Sequence, residues 1–300
     1  MLPLQEVITT LIAGQSLPDK TAVITFDDAY DSIYTQAFPL LKENGWPFTI
    51  FVSTQALETG LKGFLTWDQI AEMGDNGATI ANHSHTHTHL LRRLEQESEA
   101  AWRKRIRTDI VTAQELIERH TGQTQRLFAY PYGEYNHAVK EIVSELDFVG
   151  FGQQSGPLPE SNIDLLVLPR FPFGGAYGDA NDFATKLATK PMPIEGVTVL
   201  SSPKGQALTD TLLPNDVDRP VLEITLRREL KITAQCFASG QGAIAVNNTD
   251  RLIVARANKP LPVGRSRYNC TAASDEAGRY FWYSQFFIRK QSDGNWYSEP

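Results

Sequence analysis

The chain has 300 residues, 41% of them hydrophobic and 21% charged, the proportions of a soluble globular protein and not of a disordered one. A formal net charge of −7 leaves no electrostatic footprint for nucleic acid. No apolar run approaches the ~18 residues needed to cross a bilayer, and the length is enough for two ordinary domains with separate cores.

The opening stretch, MLPLQEVITTLIAGQSLPDK, has apolar residues at helical intervals and lacks the basic start of a signal peptide. Short, nearly continuous apolar runs follow at AVITF (22–26), FTIFV (48–52), ATIA (78–81), LFAY (127–130) and FVGF (148–151), which predicts buried strands. Residues 95–120 put Trp102, Ile106, Ile110, Ala113, Leu116 and Ile117 on one helical stripe, with Gly122 as a stop. The neighbouring charge run RRLEQESEAAWRKRIR interleaves Glu95, Glu97 and Glu99 with its arginines and reads as a solvated face. Alternation of strand and helix predicts a parallel sheet or a (β/α) barrel.

Near residue 190 the pattern changes. KPMPIEG carries two prolines and a glycine, and strand-like runs follow at VLEITL, AIAV, LIVA and RYFWYSQFFI, separated by turn residues such as NNTD and SDGN. The expectation is a first domain over 1–192 and a smaller all-β, sandwich-like domain over 196–300. Cys236 and Cys270 both lie in the latter. A bridge between them would add roughly 3–4 kcal/mol in the chain-entropy view and would argue for an oxidising compartment. Trp282, Tyr283, Trp296 and Tyr297 either stack on sugar rings or pack into the core of that domain.

The polar residues that end the apolar runs carry the chemistry. AVITF ends in Asp27-Asp28, ATIA in Asn82-His83, and LFAY in Pro131-Tyr132-Gly133. In parallel α/β folds the C-terminal strand ends face the active site, so these residues converge on one pocket. Two adjacent carboxylates can divide the work, one binding a metal and the other accepting a proton; alternatively Asp27 caps the next helix and Asp28 is solvated. The stretch NHSHTHTHLL (82–91) puts four of the six histidines at every second position. As a strand they share one face; as a helical turn, His83 pairs with His87 and His85 with His89; as a tag-like tract they bind metal without specificity. Two neutral imidazoles plus a carboxylate form the ligand set of a hydrolytic zinc site.

Taken together, TFDDAYDSIY, TIANHSHTHTHL and FAYPYGEYN, in this order and at these separations, resemble the polysaccharide deacetylases of carbohydrate esterase family 4, the NodB-homology domain, over about Leu4 to Phe173. The resemblance implies a distorted (β/α) barrel and one divalent metal ion, zinc first, with cobalt or nickel as alternatives. It implies Asp28, His83 and His87 as metal ligands, leaving His85 and His89 outside the ligand set. Asp27 becomes the catalytic base, and the backbone N–H of Tyr132 an oxyanion donor. Pro131, Tyr132 and Trp67 become substrate contacts. The substrate implied is an N-acetylglucosamine-containing polysaccharide, placed outside the cytoplasm. Three positions depart from the family: Ala29 stands where glycine is common, Ala129 where many members carry an arginine, and no histidine follows His137 to serve as general acid. Arg170 is the arginine expected to replace the missing charge, or else an exposed arginine after a strand. Two other readings remain at this point, hydrolysis of a small cyclic amide or imide and polysaccharide binding without turnover.

Overall fold

A computed structural model describes residues 1–174, 178–227 and 233–298. The chain divides into two compact units. The first comprises Met1–Gly133, Ala138–Phe151 and Leu165–Val167; the second comprises Glu134–His137, Gly152–Asp164 and the described chain from Leu168 onward.

The first unit opens with helix α1 (Leu4–Ile12) and strand β1 (Ile24–Asp28). A π-helical turn, Ile33–Ala37, runs into α2 (Phe38–Glu43). There follow β2 (Phe48–Val52), α3 (Thr54–Glu58), α4 (Trp67–Asp75) and β3 (Ala78–Asn82). The long α5 (Glu99–Thr121), β4 (Leu127–Ala129), a 3-10 turn at Pro131–Gly133, α6 (His137–Glu145) and β5 (Val149–Phe151) complete the series. The five apolar runs of the sequence thus become the five strands.

All five strands are parallel and lie side by side in chain order, β1-β2-β3-β4-β5, the curled half-barrel of a mixed α/β fold. Helices cover the sheet, so β2 is buried at all five positions, as its unbroken apolar run requires. Register sets the site. Asp28 pairs with Val52, Val52 with Asn82, and Asn82 with Phe128, so one row across the sheet brings the three polar run-ends level. Helix α5 starts where the Ser98 side chain accepts from the Ala101 N–H and stops at Gly122, whose φ of 68° is the left-handed cap a glycine supplies. At Gly150 a side chain is excluded outright, because a Cβ would lie 2.0 Å from the Leu166 carbonyl oxygen.

Among its described residues the second unit holds α7 (Ala180–Leu187), an element the sequence pattern did not predict, and ten strands. They are β6 (Lys190–Pro191), β7 (Ile194–Leu200), β8 (Ala207–Leu208), β9 (Val221–Leu226) and β10 (Gln235–Ala238). The series continues with β11 (Gly242–Ala243), β12 (Ala245–Asn248), β13 (Leu252–Arg256), β14 (Gly264–Ala273) and β15 (Tyr280–Arg289). They form two five-stranded sheets, β11-β10-β14-β15-β6 and β12-β13-β9-β7-β8, whose buried residues share one apolar cluster. The run AIAV is not one strand: the chain leaves one sheet at Ala243 and enters the other at Ala245, with Ile244 buried at the switch. Cys236 and Cys270 face each other across β10 and β14 and form a disulfide, as expected.

The four aromatics weighed as sugar platforms all have internal partners. Trp282 packs edge-on against Phe171, and Tyr283 packs against the shared cluster. Lys290 lies over Trp296, and the Tyr297 hydroxyl donates to buried Glu134. No helix among the described residues is long and apolar enough to cross a membrane.

Candidate active site and metal centre

Asp28 ends β1, His83 immediately follows β3, and His87 lies four residues on. The segment from His83 to His89 is neither strand nor helix. It is an irregular loop, so the i, i+4 spacing of the two histidines is met by a turn. Several contacts stitch this loop in place. The Ser84 N–H donates to Asn82 Oδ1 at 2.9 Å, and the His87 N–H to Ser84 Oγ at 3.0 Å. Asn82 in turn donates through Nδ2 to the Ile110 carbonyl of α5 at 2.9 Å. The Asp109 carboxylate, also on α5, accepts from the His85 N–H, the Thr86 N–H and the Thr86 hydroxyl at 3.1, 3.1 and 2.7 Å.

His83 is buried and its protonation is set by geometry. Nδ1 lies 2.8 Å from the Ala129 carbonyl oxygen at the end of β4. A carbonyl only accepts, so Nδ1 carries a proton, and in the neutral ring Nε2 keeps its lone pair. That bare Nε2 stands 3.3 Å from Asp28 Oδ1 and 3.2 Å from His87 Nε2, while His87 Nε2 is 3.0 Å from the same Oδ1. Three potential ligand atoms this close to one another can share one cation. Around an ion with bonds of about 2.1 Å, tetrahedral ligand atoms are spaced roughly 3.4 Å apart, so the three atoms are a fit for zinc in both chemistry and spacing. Among the described residues, Asp28, His83 and His87 form the group able to hold a metal ion.

Backbone strain gathers here. Asp28, Ala29, Ser84, His87 and Tyr132 all have positive φ, at 71°, 70°, 65°, 51° and 59°. Each costs of order 1 kcal/mol in a non-glycine residue and persists where surrounding contacts over-determine it.

The remaining expected residues are distributed unevenly. Pro131 and Tyr132 sit in the 3-10 turn after β4, and the Tyr132 ring stacks on His89 at 4.0 Å and lies 4.7 Å from His87. His85 bonds through Nδ1 to the Thr54 hydroxyl at 2.8 Å, so the two histidines outside the cluster buttress the loop and the turn. Asp27 is the penultimate residue of β1, paired with Phe51. A cavity of about 260 Å³ opens beside Asp28 and His87, and Trp67 does not line it. The Trp67 ring stacks on His120 at 4.2 Å and donates to Glu58 at 2.7 Å. Arg170 belongs to the second unit, where its Nε donates to the Gly152 carbonyl at 3.1 Å. Sequence reasoning missed Asp109. The signal was present, because 109 falls on the apolar stripe between Ile106 and Ala113, where a carboxylate needs a partner.

The strand ends of a parallel half-barrel thus bring together an aspartate and two histidines, the residues that the resemblance implies as metal ligands. Residues 14–151 match the polysaccharide deacetylase family model. The poly-β-1,6-N-acetyl-D-glucosamine N-deacetylase of Escherichia coli K12 is 29% identical over 187 residues, 51% of this chain and 28% of that protein. The enzyme of the same name from Staphylococcus aureus is 28% identical over 153 residues, 48% of this chain and 52% of that one. The chain therefore matches less than two thirds of the length of these relatives. Among solved structures, the BpsB deacetylase domain of Bordetella bronchiseptica is 28% identical with a TM-score of 0.52, covering 56% of this chain and 77% of that one. The PplD deacetylase of Streptococcus pyogenes, solved with acetate, is 28% identical with a TM-score of 0.50, covering 56% and 71%.

Proposed function

We propose that this chain is a metal-dependent N-deacetylase that releases acetate from an N-acetylglucosamine-containing polysaccharide. One observation carries the reading: the Nε2 lone pair of His83, fixed by the Ala129 carbonyl, converges with His87 Nε2 and Asp28 Oδ1 on one point. Asp28, His83 and His87 would hold a divalent ion, zinc first and cobalt or nickel as alternatives. Such an ion supplies Lewis acidity to an amide carbonyl and to a water molecule.

Asp27 is then the base that takes the proton of the attacking water. The backbone N–H of Tyr132 donates to the developing oxyanion, and Pro131 with the Tyr132 ring borders the acetyl group. Arg170 as the cation that tunes Asp27, and Trp67 as a substrate contact, rest on the resemblance alone. With no late histidine, Asp27 returns its proton to the leaving amine. We read residues 196–300 as a sandwich-like accessory domain. The disulfide there fits an extracytoplasmic location.

The test is acetate release from poly-β-1,6-N-acetylglucosamine, peptidoglycan and chitin oligomers by zinc-loaded protein, by chelated protein and by Asp27→Asn. The expected result is activity in the first, none in the second, and a loss of about 10²–10⁴-fold in the third with zinc binding intact. Equal acetate release by wild type and Asp27→Asn would remove Asp27 as the base.

A further inference from the structure

The cavity beside the cluster is lined by side chains that the reaction leaves without a task. Tyr30 comes two residues after Asp28, and its ring meets that of Phe64 at 4.9 Å between centroids. Both rings line the cavity together with Leu61. Their mutual placement is fixed by the main chain. Tyr30 and Phe64 pair as an antiparallel bridge, the Asp31 N–H donates to the Gly63 carbonyl, and the Leu65 N–H donates to the Ala29 carbonyl, both at 2.9 Å. Gly63 makes the return possible at φ 91°, a conformation other residues rarely adopt.

Despite this rigid support, Tyr30 and Leu61 remain 48% and 53% exposed. Isolated exposed apolar residues are ordinary on any surface. Here two of them, with the half-buried Phe64, share the lining of one cavity with Asp28 and His87, which makes a preformed apolar wall beside the reacting centre. Hydrogen-bonding groups line the cavity as well, from Ser53, Gln55 and Thr86. Its volume of about 260 Å³ falls below the ~300–1,000 Å³ of drug-sized sites, room for one ring and not for a long segment. A single ring with an apolar face and a polar edge suits this lining. A pyranose whose substituents are all equatorial meets both demands, since its axial C–H bonds form the faces and its hydroxyls the rim.

We propose that Tyr30, backed by Phe64 and flanked by Leu61, is the stacking platform for one pyranose ring of the substrate and selects the gluco configuration. The inference rests on the deacetylase reading and adds to it a residue that recognises the ring. An axial hydroxyl, as in the galacto configuration, breaks the C–H face on its own side and weakens stacking through that face.

The test compares zinc-loaded wild type, Tyr30→Ala, Tyr30→Phe and Leu61→Ala on N-acetylglucosamine oligomers, and wild type also on N-acetylgalactosamine oligomers. Tyr30→Ala is expected to raise KM about five-fold with kcat within about two-fold, equivalent to roughly 1 kcal/mol of binding. Tyr30→Phe should keep the wild-type KM, Leu61→Ala should shift it in the same direction as Tyr30→Ala but less, and wild type should favour the gluco oligomer in kcat/KM. An unchanged KM in Tyr30→Ala, equal damage in Tyr30→Phe, or equal kcat/KM on the two oligomers would each overturn the platform. Calorimetric titration of wild type and Tyr30→Ala with the same oligomers reads the platform independently of turnover. Wild type that releases no acetate from any polymer would sink the deacetylase reading alone, and the five-fold difference in affinity would still decide the platform.

Discussion

Asp109 offers the sharpest test of how the site is held. Replacing it with alanine removes three hydrogen bonds at once, from the His85 N–H, the Thr86 N–H and the Thr86 hydroxyl. Bonds to a charged acceptor are worth ~1.5–3 kcal/mol each. Because the loop is only partly buried, water replaces a share of them, and a net loss of about 2–4 kcal/mol is expected. The larger consequence is positional. The tethered residues lie between His83 and His87, so without Asp109 the loop can move His87 away from Asp28. Losing the outer partners of metal ligands typically costs 10–100-fold in affinity, and a loss within that range is expected for zinc. Asp109→Asn should fall between the two, since it keeps an acceptor for Thr86 but turns an NH₂ group toward one of the backbone donors. Competition for zinc against a chromophoric chelator gives the affinity, and thermal unfolding in excess chelator gives the metal-free stability. If Asp109→Ala loses stability as expected yet binds zinc within two-fold of wild type, the argument that this carboxylate positions the ligands is wrong.

Two further outcomes follow from the structure. The Cys236–Cys270 bond closes a 34-residue separation between directly opposed strand positions, so replacing both cysteines with serine should lower stability by roughly 3–4 kcal/mol; denaturant unfolding with and without reductant measures it. Bidentate hydrogen bonding from Arg105, at 2.7 Å to both oxygens, pulls the Glu97 pKa from 4.5 down to about 2. A depressed folded pKa means that the stabilisation is complete above pH 4.5 and decays as the pH falls toward 2. Glu97→Gln should therefore show a flatter fall in melting temperature over that window than wild type, and parallel curves would refute the assignment.

Much of the first unit was legible because strand runs and helical stripes are local signals. FTIFV reads as a buried strand and is buried throughout; the stripe from Trp102 to Ile117 reads as a helix and is one. The candidate metal-binding trio could be proposed because its residue types are rare together, and the resemblance of the motifs decided which histidines to choose. What escaped depends on contacts between distant residues. Trp67 stacks on His120, 53 positions later, a pairing no local pattern announces. The Tyr30–Phe64 wall needs a glycine turn and a bridge across 34 positions. Similarly, AIAV has the composition of one strand, and only the packing of two sheets against a common cluster divides it at Ile244.

The acceptor that orders His83 is main chain, not side chain. In many metal sites a carboxylate performs this task, and substitution of that residue changes the ligand's basicity. Here every amino acid at position 129 presents the same carbonyl, so the tautomer of His83 is insensitive to the identity of its neighbour. Residue 129 is fully buried, which restricts its size but not its chemistry. Its side chain is therefore free to diversify within that volume while the histidine it serves remains unaltered.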